Sequence, residues 1–187
     1  MATLRWTSRD LDLFPDDNTK RYEIVDGELY VSKQPHVDHQ LVCCRVWELL
    51  QLWCRQTKSG VAIAAPGVIF AEDDDVAPDV VWISQERLAA ASQPDGHLHA
   101  APELAVEVLS PGATNARRDR EAKLKLYSRR GVLEYWIVNW QERYVELYQR
   151  EQGVLKLSKT LYTKDMLESP ILPGFISHVS DFFDDIL

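Results

Sequence analysis

The sequence predicts a mixed α/β domain, a mixed sheet with helices packed on it, in the order α-β-β-β-α-β. Apolar residues recur at helical spacing in two long stretches, His39–Gln56 and Asn115–Arg130. Around them lie short runs rich in β-branched residues, such as Val76–Ile83, Leu104–Leu109 and Glu134–Asn139, closed by serine, proline, glycine or asparagine. The chain has 187 residues, enough for one core but crowded for two, and no repeat or long linker divides it, so residues 1–187 read as a single domain.

Each element has its own signal. Thr7-Ser8-Arg9-Asp10 has the form of a capping box for a short helix stopping at Pro15. Arg21 to Ser32 alternates as a hairpin around Asp26-Gly27, a pair suited to a type I′ turn. Pro35 and Asp38 precede the first long helix, whose Val42, Val46, Leu49, Leu50 and Trp53 share one face. Cys43 and Cys54 lie on that face too. With Cys44 they make an odd, non-zinc pattern, read as reduced packing residues. Strands are predicted near Val61–Ala71 and Val76–Ile83, joined by Glu72-Asp73-Asp74-Asp75. That run lacks the glycine and ligand spacing of a calcium loop and reads as a soluble acidic turn. A polar, alanine-rich stretch, Gln85–Pro102, leads to the strand Leu104–Leu109. After Ser110-Pro111-Gly112 the second long helix runs to Gly131. Strands Glu134–Asn139 and Tyr144–Gln149 follow, then a short C-terminal helix with Phe182, Phe183, Ile186 and Leu187.

Composition narrows the function classes. Hydrophobic content of 45% and charged content of 27% are ordinary for a soluble protein, and no apolar run reaches the roughly 18 residues that span a bilayer. Met1 to Trp6 carries no signal-peptide core, so the expected location is cytoplasmic. A net charge of −8 tells against a constitutive nucleic-acid binder. Seven basic residues between Arg117 and Arg130, against Asp119 and Glu121, qualify that; such a run is most simply a solvated helix face.

Two carboxylates stand where a core strand should not hold them: Asp79 in Val76–Ile83 and Glu107 in Leu104–Leu109. On a helical wheel Ala116, Ala122, Leu124, Leu126 and Tyr127 define an apolar arc centred near Lys123, with Asp119 and Arg130 inside it. Lys125, Arg118 and Glu121 should face water. An inward lysine needs a partner, and the strand of Glu107 leads directly into this helix. Two carboxylates and a lysine suit metal-assisted phosphodiester hydrolysis: the acids hold a hard divalent ion, and the lysine orients the attacking water or offsets developing charge. Arg120 is the candidate phosphate-backbone contact. The residues alone leave a buried structural ion pair as the competing account, with Asp79 merely satisfying backbone donors. His39, on the inner face of the first helix, is either a core histidine or a neighbour of the phosphate. Glu23 is either a cross-strand partner or a further carboxylate. Six tryptophans are mainly core material, Trp140 at a turn being the most exposed. A sugar hydrolase using two carboxyls is disfavoured by Lys123 between them. No glycine loop for phosphates, nucleophile elbow or zinc-protease helix is present.

Several segments resemble the Uma-type restriction-endonuclease-like proteins, within the PD-(D/E)XK nuclease superfamily. These are Tyr22–Glu28, Ala77-Pro78-Asp79-Val80, Pro102–Pro111, Gly131–Val138 and Ser169–Phe175, in order over nearly the whole chain. The resemblance implies a restriction-endonuclease-like core with an N-terminal hairpin and a C-terminal extension. It implies a Mg²⁺ or Mn²⁺ site at Asp79 and Glu107 with the Val108 carbonyl as third ligand, catalysis assisted by Lys123, and DNA as substrate. Glu23, His39 and Asp119 are auxiliary candidates. One departure is plain: the superfamily places lysine at position 109, where this chain has leucine, and Lys123 in Asp119-x-x-x-Lys123-x-x-x-Tyr127 takes its place. A homodimer is expected, with the Phe182-Phe183 segment as apolar surface. The alternative is a non-catalytic relative that binds nucleic acid or a protein partner.

Overall fold

Asp26 and Gly27 both adopt positive φ, 52° and 73°, as a type I′ turn requires. They join β1 (Lys20–Val25) to β2 (Glu28–Lys33) in an antiparallel hairpin. The structure, a computed structural model, describes residues 4–15, 19–184 and 186. Leu187 of the expected C-terminal helix lies outside them. Before the hairpin, Ser8–Leu13 forms a single 3₁₀ helix, where the Asp10 carboxylate accepts from the Thr7 N–H at 2.7 Å.

The two strands expected across Val61–Ile83 are four. Pro66-Gly67 and Pro78 interrupt them, because proline cannot donate to a ladder. The pieces are β3 (Gly60–Ala64), β4 (Val68–Ala71), β5 (Asp74–Val76) and β6 (Val80–Ser84). β4 and β5 join the hairpin in a four-stranded sheet of order β2-β1-β5-β4. The acidic run is therefore not simply a soluble turn: Asp74 is fully buried, pairing with Arg129 and Arg130 and accepting the Asp26 N–H at 2.7 Å.

The main sheet adds β7 (Leu104–Val108), β8 (Glu134–Asn139), β9 (Tyr144–Glu151) and β10 (Val154–Tyr162) to β3 and β6, in the order β10-β9-β8-β7-β6-β3. Only β7 and β8 run parallel among its pairs, and a parallel pair needs a crossover. A helix in three parts supplies it: α3 (Ala113–Arg117), a π-helical turn (Arg118–Lys123) and α4 (Leu124–Arg130), stopped by Gly131 at φ 92°. Two further helices are α1 (Val37–Thr57) and α2 (Gln85–Ala91). A two-residue turn at Gln152-Gly153 adds β10, a strand beyond those that the sequence predicts. A small ribbon, β11 (Met166–Glu168) with β12 (Ile176–His178), precedes a 3₁₀ turn at Val179–Phe183.

Side chains alternate across the main sheet, so each face builds its own core. One face packs Val80, Trp82, Leu104, Val106 and Trp136 against Val42, Val46, Leu50 and Trp53 of α1 and against Phe175 and Phe182. The other packs Val81, Ile83, Ala105, Tyr135 and Ile137 against Leu126 and Tyr127 of α4 and against Val25, Val68 and Val76 of the smaller sheet. Phe182 and Phe183 are thus interior, with Phe182 stacked 6.2 Å from Trp136, and do not form the apolar surface expected for a dimer. Trp140 is half-buried and donates to the Leu109 carbonyl at 3.0 Å. Cys43 and Cys54 are buried and unpaired, Cys44 exposed.

Candidate active site

Alternation decides where the two acids point. Glu107 shares parity with Ala105, and Asp79, just before β6, shares it with Val81 and Ile83. Glu107 therefore faces the crossover helix, while Asp79, at the entrance to β6, sits between the smaller sheet and α1. Asp79 accepts the Val108 N–H on Oδ2 at 2.9 Å, has His39 Nε2 at 3.3 Å, and has the Arg21 guanidinium 3.5 Å from Oδ1. In an extended strand a residue's N–H and C=O face the same neighbour, so the Val108 carbonyl is also directed to the Asp79 side. Glu107 Oε1 accepts from Lys123 Nζ at 2.8 Å and from the Tyr127 hydroxyl at 2.7 Å. Lys123 Nζ lies equally 2.8 Å from Glu23, which also accepts the Ala77 N–H at 2.9 Å. Asp119 is buried behind them and accepts from Arg118 at 2.9 Å. A cavity of about 180 Å³ opens onto this cluster, lined by Glu23, His39, Asp79, Glu107, Val108 and Lys123, with Lys20, Arg21, Lys33 and Arg118 among its basic residues.

Four buried carboxylates, Glu23, Asp79, Glu107 and Asp119, face two buried or nearly buried cations, Lys123 and Arg118. Burial raises a carboxyl's pKa and cationic or N–H donors lower it, so the balance differs site by site. At Asp79 burial is outweighed by His39, Lys123 and the Val108 N–H, and the pKa falls below the usual range. At Glu107 burial wins over Lys123, reinforced by Asp79, Asp119 and Glu23, and pushes it up to about 8. Glu23 shares the same lysine at the same distance yet is lowered, because Arg118 and the Ala77 N–H add to Lys123 against burial. Asp119 is raised by burial, and its Oδ2 has no hydrogen-bond partner among the described residues. Lys123 is raised: burial opposes its charge, but Glu107, Glu23 and Asp119 overcome that. It stays protonated and can donate but not act as a base. Oxygen donors that converge on a small cavity fit a hard divalent cation, with Asp79, Glu107 once it has lost its proton and the Val108 carbonyl able to hold it.

The structure brings together Asp79, Glu107, Lys123, Glu23 and His39, with Asp119 adjoining through Arg118. Arg120 lies elsewhere, its guanidinium engaged by Glu146 at 3.0–3.2 Å and by Tyr144 at 2.8 Å. Arg118, expected in solvent, is nearly buried, its side chain 11% exposed. A π turn takes more residues than an α turn, so the regular wheel fails there and positions 118 and 119 both turn inward. Arg21 went unnoticed in the sequence, although it sits two residues before Glu23 on one strand and hence on the same face.

The mixed sheet, crossover helix and acid–lysine cavity define a nuclease-type, restriction-endonuclease-like fold. It is similar to the crystal structure of a "putative nuclease belonging to DUF820" from Anabaena variabilis, with a TM-score of 0.74 and 15% identity over 95% of this chain and 97% of that one. The chain belongs to the Uma2 family, described as "Putative restriction endonuclease", which matches residues 8–180. The type IIG restriction endonuclease BpuSI aligns at 14% identity over 78% of this chain and 15% of its own, with a TM-score of 0.42. No curated protein matches. Among the described residues, no helix is long and apolar enough to cross a membrane.

Proposed function

We propose that the protein is a Mg²⁺- or Mn²⁺-dependent endonuclease that hydrolyses DNA phosphodiester bonds at this cavity. The supporting observation is that Asp79, Glu107 and Lys123, far apart in sequence, line one cavity. An ion held by Asp79, Glu107 and the Val108 carbonyl would supply Lewis acidity toward the phosphate and a lowered pKa for water. The protein's own groups do the rest. His39 and the Val108 N–H fix Asp79. Tyr127 and Lys123 fix Glu107, and Lys123, always charged, offsets negative charge developing at the phosphate. Arg21, already 3.5 Å from Asp79, is better placed than Arg120 to hold the scissile phosphate. The cavity of about 180 Å³ has room for a phosphate and some water, since a single water needs only about 10–15 Å³ on the same measure. Action on both strands would call for two copies, so a homodimer in the cytoplasm belongs to the same proposal.

Plasmid nicking with Mg²⁺ or Mn²⁺ tests it. Wild type should nick and Asp79→Ala should not; equal cleavage by both ends the assignment. One observation favours a second reading, a non-catalytic relative: Glu107 Oε1 is satisfied by two protein donors and Lys123 is shared with Glu23, as in a structural ion pair. Thermal melts separate the two. A metal site is stabilised by Mn²⁺ as RT ln(1 + [L]/Kd), and an inert pair is not.

A further inference from the structure

We propose that His39, Cys43 and Asp79 form a second, softer cation site that takes Zn²⁺ and excludes the hard ion by sharing Asp79. The site stands on its own geometry; only the competition rests on the catalytic reading.

His39 and Cys43 are one turn apart on α1, with Nδ1 3.5 Å from Sγ. This i, i+4 spacing puts two side chains on one helix face, the arrangement by which paired helical ligands grip zinc. Asp79 Oδ2 lies 3.3 Å from the other ring nitrogen, Nε2, so the imidazole stands between thiol and carboxylate and must turn to present one nitrogen to an ion held by all three. One ligand atom from each residue falls within 4.8 Å of the others, and all three residues are buried. Zinc bonds of about 2.0–2.3 Å in a tetrahedron separate neighbouring ligand atoms by roughly 3.3–3.8 Å, so binding calls for a turn of the imidazole together with a closing of about 1 Å. His39 and Asp79 line the cavity, which leaves the fourth position open to water.

Ligand softness sets which ion goes where. Magnesium takes oxygen donors, whereas thiolate and imidazole select zinc and its neighbours. Binding would release the Cys43 proton, which burial and the nearby Asp79 and Glu107 hold tightly, and leave the ion with one thiolate and one carboxylate, a neutral set. Cys54, the other buried cysteine of α1, faces Trp82 rather than a histidine and has no such role.

Cobalt(II) is the probe, because a cobalt–thiolate bond absorbs in the near ultraviolet. Titrating the metal-free full chain should give that band, saturating at about one equivalent and displaced by Zn²⁺. Cys43→Ser should abolish the band and weaken Zn²⁺ binding by about tenfold or more. It should leave Mn²⁺ stabilisation unchanged, and Cys44→Ser should keep the band. A wild-type spectrum without the band overturns the proposal, needing no variant, as does a band that disappears with Cys44 or survives Cys43→Ser. The two readings fail separately: a cobalt band without Mn²⁺-dependent cleavage refutes the nuclease, and cleavage without the band refutes the zinc site.

Discussion

Replacing Lys123 by Met removes a buried cation from between two carboxylates while keeping the stem's volume. Breaking a buried ion pair on one side costs about 3–5 kcal/mol, because the remaining charge is stranded. The lower end applies here. Glu107, held up at about 8, keeps its proton near neutrality and is not stranded. Glu23, lowered, is the true anionic partner, and it retains the Ala77 N–H and Arg118 at 3.7 Å. One partly supported carboxylate should therefore cost about 3 kcal/mol. For a chain of this size that is a Tm drop of about 6–12 °C. The lysine's raised pKa makes its contribution complete below the unfolded value near 10.4, so neutral pH reads it in full. The lowered Glu23 contributes above its unfolded value near 4.3 and loses that contribution on acidification, so the gap between wild type and variant should shrink below about pH 4. Calorimetric melts in chelator at pH 7 on Lys123→Met, Glu23→Gln and the double variant give the coupling. The double variant should recover most of the loss. A drop under about 2 °C, or strict additivity, would refute the charge assignment.

Because Glu107 must lose a proton to bind metal, the Mn²⁺-induced rise in Tm should grow between pH 6 and 8.5; a flat profile would show that Glu107 is not a ligand. Asp74→Ala should cost about 3 kcal/mol in urea unfolding, at the low end because Arg129 and Arg130 keep access to water. A loss under about 1 kcal/mol there would return the acidic run to a solvated turn. Phe182→Ala should cost about 3–5 kcal/mol as a core truncation and leave the sedimentation coefficient unchanged; dissociation of an oligomer instead would place that ring at an interface.

The catalytic candidates were legible because burial and charge conflict visibly in sequence: Asp79 and Glu107 break apolar strands, and Lys123 breaks an apolar helix face. The hairpin was legible because Asp26-Gly27 admits few other turns. Three features were not. Of β10, only Leu155 is buried while Val154, Leu157 and Tyr162 are exposed, so its hydrophobic pattern is weak and only the Gln152-Gly153 turn marks it. The burial of Asp74 depends on Arg129 and Arg130, more than fifty positions away, which no local window senses. The π turn cannot be read from a wheel that assumes a constant rotation, and that assumption put Arg118 in solvent.

The same turn makes the crossover unusually intolerant of changes in length. Each residue of an α-helix advances the azimuth by about 100°, so one codon gained or lost between Glu107 and Lys123 would swing the ammonium out of the cavity without disturbing the β7–β8 pairing. At Gln152-Gly153, on the rim of an edge hairpin, the same insertion only lengthens a loop. Drift among relatives should therefore concentrate insertions and deletions at the second place and keep them out of the first.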